Sequence, residues 1–188
     1  MDKYNASVSN TDKDIIFTIV SDKTILDDEL LTCNANTNID VLLVDNLIKE
    51  FNILSNGLVI EYNYKLLNNQ KSAEIELLFK HVFNKFGETQ KYVTFLVTYD
   101  EKNKTIEAVA VEKKSGLTNI HNCQRFPFNR IHITNTMENN LNKTTIKVHS
   151  NNSISTYKNY NMILAFTKKL VYDNYKHIEK YIKICKNH

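Results

Sequence analysis

The chain has 188 residues, 42% of them hydrophobic and 24% charged, with 3 Gly, 1 Pro and 3 Cys. That is the composition of an ordinary globular domain large enough to bury a core. No apolar run approaches the roughly 18 residues needed to cross a bilayer as a helix, and three scattered cysteines exclude a disulfide framework or a paired-cysteine metal site. The net charge of +3 hides a split: residues 1–90 carry 8 Lys/Arg against 14 Asp/Glu, and residues 91–188 carry 16 against 7. A basic half points to an anionic partner, nucleic acid above all.

In chain order, residues 1–13 read as a polar lead-in without the apolar stretch of a signal peptide, so an intracellular protein is expected, in the nucleus or in the cytoplasm. Abundant Asn, Lys and Ile with little Gly or Pro suggests an AT-rich genome, such as that of a large DNA virus or a protist. Asp14–Val20 is β-branched and aromatic and predicts a strand. Asp27, Asp28 and Glu29 open a short helix to Cys33, where acids suit the helix dipole. Asn34–Asn38 is a loop and Asn38–Val44 a strand. Phe51–Leu54 and Leu58–Tyr62 form a hairpin around Ser55-Asn56-Gly57. Gln70–Phe86 places Ile75, Leu78, Phe79, Val82 and Phe86 at i, i+3, i+4 spacing, which predicts an amphipathic helix ended by Gly87.

The second half opens with alternation in Tyr92–Tyr99 and Thr105–Val111, a hairpin. Ser115–Gln124 is a loop. An aromatic and basic stretch, Arg125-Phe126-Pro127-Phe128-Asn129-Arg130, runs into a strand over Ile131–Thr134, and an Asn-rich turn covers Met137–Asn142. Residues 144–156 read as strand, polar turn and strand. Tyr157–Lys183 has helical periodicity. Glu50–Phe86 has the same order of strand, turn, strand and helix, and Asn56 and Asn151 stand 95 positions apart in the two copies. An internal period near half the length implies a duplicated unit. The halves 1–90 and 91–188 would then be two repeats of one compact domain, sharing a sheet because no Pro-, Gly- or Ser-rich linker separates them.

No GxGxxG, P-loop, HExxH or GxSxG motif is present, so no enzyme and no cofactor are expected. His121 and Cys123 lack a second pair of metal ligands. The strands after Arg130 and Thr144 instead suggest a binding face: Ile131, Ile133, Ile146 and Val148 alternate with Arg130, His132, Thr134, Lys147 and His149. One face would pack on helices and the other lie open and basic. Arg125, Arg130, Lys147, His132 and His149 would meet phosphates, and Phe126 and Phe128 would stack on or wedge between bases.

The duplicated unit, ILSNGLVIEY with the helix after it and VHSNNSIST with the Ala165-Phe166 helix, together with Phe126-Pro127, resembles the TATA-box-binding protein family. The resemblance covers nearly the whole chain as a pattern. Of the family's four wedging phenylalanines only Phe126 matches; the others fall near Asn38, Ile53 and Val148. It implies an α+β fold of two pseudo-repeats forming one curved antiparallel sheet, with two long helices packed on one face. It also implies a monomeric, non-enzymatic transcription factor that binds AT-rich double-stranded DNA and a protein of the transcription apparatus, with no membrane partner. The alternative is a virus- or parasite-encoded module that binds a host protein.

Overall fold

In the computed structural model, residues 5–21, 57, 59–67, 72–81, 89–100, 102–113 and 115–156 are described, with 161, 164, 165 and 168. Among these residues nine strands form one sheet: β1 (Asn5–Asn10), β2 (Asp14–Ser21), β3 (Val59–Leu66), β4 (Ser72–Phe79), β5 (Lys91–Asp100), β6 (Thr105–Ala110), β7 (Gln124–Arg125), β8 (Phe128–Glu138) and β9 (Leu141–Ser150). Their order is β1-β2-β9-β8-β6-β5-β4-β3. All neighbours on this path are antiparallel, and two-residue β7 adds a parallel pair to the start of β5.

The strands form where alternation is cleanest. β2 buries Ile15, Phe17 and Ile19 completely and leaves Ile16, Thr18 and Val20 half-buried, the period of two of a strand packed on one side. β8 and β9 are joined at Asn139 and Asn140, with φ of 52° and 61°. Two consecutive left-handed residues make the tight hairpin turn whose twist matches that of its strands, and Asn tolerates that conformation better than most residues. A turn of 3-10 helix, Ile154–Thr156, follows β9 and buries Ile154. The Ile154 N–H donates to the Asp12 carbonyl at 2.7 Å, which ties this turn to the β1–β2 connection.

Among the described residues Leu78, Thr94 and Glu76 are buried on one face of the sheet, while two core clusters pack on the opposite face. Ile15, Phe17, Phe128, Val148 and Ile154 form one, with Leu164 packed against it; Val93, Phe95 and Ala108 form the other. Phe126 packs on both, with ring centroids 5.1 Å from Phe79 and 5.4 Å from Phe128. It arrives there because β7 pairs with β5 where β6 does not reach, and the Phe126 N–H donates to the Tyr92 carbonyl at 2.8 Å.

The expected fold of two pseudo-repeats with two long helices is overturned. The helix expected over Gln70–Phe86 is, over Ser72–Phe79, strand β4, paired to β3 and β5. SAEIELLF carries both periods, and Ala73, Ile75, Leu77 and Phe79 alternate as well as Ile75, Leu78 and Phe79 recur helically; pairing on both sides decides for the strand. The two supposed copies therefore differ, since one continues into β4 and the other into the 3-10 turn, where a second strand was expected. Asn161, Leu164, Ala165 and Lys168 are helical. The rest of the Tyr157–Lys183 segment lies outside the described residues, as do the Asp27–Cys33 helix, the Asn34–Asn38 loop, the Asn38–Val44 strand and the Phe51–Leu54 arm. Among the described residues no helix is long and apolar enough to cross a membrane.

Candidate ligand-binding face

Directly opposed residues of antiparallel strands share a face, so the register lays out the sheet in rows. One row runs Ile15, Val148, Ile131, Ala108, Val97, Ala73, Leu66 across seven strands, from β2 to β3, without a polar residue. The next holds Phe17, Ile146, Ile133 and Ile106. On the other side of the first row lie Ala110, Phe95, Ile75 and Tyr64. Many of these side chains, among them Ile131, Ile133, Ile146, Val97, Ile75 and Tyr64, are only half-buried. Among the described residues this face has one charged register position, Lys91 at the start of β5, whose ammonium donates to Gln124 at 2.9 Å and Thr89 at 3.1 Å.

Polarity returns at the end of the face next to the β8–β9 turn. Asn135 faces Thr144, and Asn142 lies one diagonal step on. The fully buried Thr144 hydroxyl donates to Asn135 Oδ1 at 3.3 Å, and Asn135 Nδ2 donates to Asn142 Oδ1 at 3.1 Å.

The opposite face holds most of the residues expected to bind nucleic acid, but with acidic neighbours. Arg130, His132, Lys147 and His149 pair across β8 and β9. Arg130 Nε donates to Glu107 Oε1 at 2.5 Å, and its guanidinium is ion-paired to the same carboxylate. Asp14 takes both Lys147, at 3.1 Å, and His149 Nδ1, at 2.6 Å. Burial alone would raise the Asp14 carboxyl, but the His149 and Lys147 contacts outweigh it and hold the group below its ordinary value. His132 sits between Glu107 and Lys147 in register. Arg125 stacks on Tyr92 at 5.7 Å and donates to the Val111 carbonyl at 2.9 Å and the Lys113 carbonyl at 3.4 Å. Phe128 is 1% exposed and Phe126 half-buried in the core. Neither ring stands on the surface with the cations.

Sequence reasoning missed Asp14 and Glu107 because their partners lie on strands distant in sequence. It also missed three carboxylates, Glu61, Glu74 and Glu76, that fasten Lys113, Gly116, Thr118 and Asn119 over β3 and β4. Glu76, only 5% exposed, accepts the Gly116 N–H at 2.9 Å and the Asn63 amide at 3.3 Å. Glu61 accepts the Thr118 N–H at 2.7 Å, and that bond, with the Asn119 amide, holds its carboxyl below the usual value. Lys113 pairs with Glu74 at 2.5 Å. Alternating glutamates in AEIEL were the available signal for this row. Among the described residues no group of three or more His, Cys, Asp or Glu is placed to hold a metal.

No family model matches the sequence, and no curated protein does. Solved structures do match. Human STARD10 superposes with a TM-score of 0.58 at 9% identity, covering 98% of this chain and 76% of that one. A STAR-related lipid transfer protein from Xanthomonas axonopodis gives 0.54 at 11% identity, over 93% and 98% of the two chains. Human StAR-related lipid transfer protein 5 gives 0.51 at 11% identity, over 95% and 86%. The fold is that of the STAR-related lipid transfer domains. It is not the saddle of the TATA-box-binding proteins. The AT-rich DNA and transcription-protein partners rested on that saddle and on an open basic face, and the face's Arg130, Lys147 and His149 are matched to Glu107 and Asp14. The nucleic-acid-binding reading therefore falls. The matched structures give no support to the alternative of a host-binding viral module either.

Proposed function

We propose that this chain binds a lipid or a lipid-like apolar molecule against the apolar face of its sheet and carries it chemically unchanged. The carrying observation is the row of apolar residues across seven strands, flanked by half-buried isoleucines, with no acidic side chain at its described positions. Apolar side chains left half-buried on a core face gain by meeting further apolar surface, about 25 cal/mol for each Å² removed from water. The fold of proteins named for lipid transfer supports the same reading. The mode we propose is binding rather than catalysis, since the described rows offer hydrocarbon almost throughout.

The test is titration of the purified chain with pyrene-labelled alkyl probes of increasing length. Saturable uptake is expected, and each sheltered methylene contributes about 0.8 kcal/mol, roughly a fourfold gain in affinity. Ile133→Glu places a carboxylate in the middle of the face and should abolish uptake while the circular dichroism spectrum keeps its strand signature. Affinity that ignores chain length, or survives Ile133→Glu in the folded variant, would refute the reading.

A further inference from the structure

The same face specifies the polar end of its ligand, an inference that rests on the lipid-binding reading. From β2 to β3 the apolar rows present hydrocarbon, and the side chains that change this character at the β8–β9 end are amides and a hydroxyl. Asn135 is the accessible member. It is half-buried, it continues the side of β8 that carries Ile131 and Ile133, and it stands one step beyond Ile133 along the strand. Its amide donates one N–H to Asn142 and its oxygen accepts one hydrogen from Thr144. A carboxamide has two N–H donors and two oxygen lone pairs, so one donor and one lone pair remain. A hydroxyl uses both, since it accepts and donates at once.

Charge is treated differently here. A carboxylate or phosphate shielded from water needs a cation or several converging donors, and without them its transfer from water is strongly unfavourable. The lysines nearest in sequence, Lys143 and Lys147, alternate to the other face, where Lys143 pairs with Glu138 at 2.9 Å and Lys147 with Asp14. Lys91, the one cation in register with the apolar face among the described residues, lies at the far end of β5 and is bonded to Gln124 and Thr89. A cationic head fares no better, because no carboxylate occupies a described position of the face.

We propose that the ligand is an uncharged amphiphile with a hydroxyl at its polar end, seated with that hydroxyl at Asn135 and its hydrocarbon along the half-buried Ile133 and Ile146. The experiment compares three pyrene probes of equal chain length at pH 8: a long-chain alcohol, the corresponding fatty acid and the unsubstituted alkane. Wild-type protein should bind the alcohol at least ~10-fold more tightly than the acid, the direction that burying an unpaired charge dictates. Asn135→Leu should weaken the alcohol several-fold and leave the alkane unchanged, a result that a general loss of folding would not give. Acid binding equal to or tighter than alcohol binding overturns the headgroup assignment, with the lipid-binding reading intact if the alkane still binds. Failure of all three probes overturns both, and the wild-type comparison decides even if Asn135→Leu does not fold.

Discussion

Replacing Phe126 with Ala tests how the two halves of the core are joined. The ring touches Phe79 and Phe128 and packs on both clusters, so its removal opens a gap shared by β4, β5 and β8. Truncating a fully buried Phe to Ala costs about 3–5 kcal/mol. Phe126 is half-buried, so we expect about 2–3 kcal/mol, of which each ring pair accounts for about 0.5–1.5 beyond area alone. Against a typical net stability of about 5–15 kcal/mol this is a large fraction. In a domain of this size it lowers Tm by roughly 4–12 °C. The chain has no Trp and 10 Tyr, so urea unfolding is best followed by far-ultraviolet circular dichroism with tyrosine fluorescence as the second probe. Phe126→Leu should recover about half of the loss. A midpoint for Phe126→Ala within error of wild type would refute the reasoning, because a ring exposed for recognition, rather than packed, can be removed at little cost.

Two further outcomes follow from the carboxylates. The Asp14 pKa is depressed in the folded chain relative to its ordinary 3.8, so its contribution is present above that value and is lost as pH falls through the lower folded pKa. Asp14→Asn should therefore cost about 1 kcal/mol at pH 7, with the gap to wild type closing below about pH 3.8 in acid-unfolding curves; a constant gap would contradict the pairing with Lys147 and His149. Glu76→Gln keeps the size of the side chain but weakens a charge-assisted bond, so the Gly116 amide should exchange with deuterium roughly 5- to 30-fold faster while amides of β8 and β9 are unaffected. Unchanged exchange at Gly116 would mean that Glu76 does not fasten this segment.

What the sequence determined by itself is local and periodic. Alternation in Asp14–Val20, Tyr92–Tyr99, Thr105–Val111 and the stretches around Ile131 and Ile146 reports strands directly, because a strand with one buried face must place its apolar residues two apart. The same alternation separates Ile131, Ile133, Ile146 and Val148 from Arg130, His132, Lys147 and His149. The Asn139-Asn140 turn is legible for a similar reason, since few other residues accept two successive left-handed conformations.

The tertiary structure decided everything that depends on partners far away in the chain. Ser72–Phe79 satisfies a helical and a strand period together, and only backbone pairing with β3 and β5 makes it β4. Phe126 and Phe128 sit among cations in the sequence but in the core in space, because β7 docks on β5 and carries them under the sheet. The basic residues lose their open face to Asp14, 133 and 135 positions before Lys147 and His149, and to Glu107, 23 before Arg130. No local pattern encodes such separations. Strand order fixes them, and with them which face of the sheet carries the apolar rows.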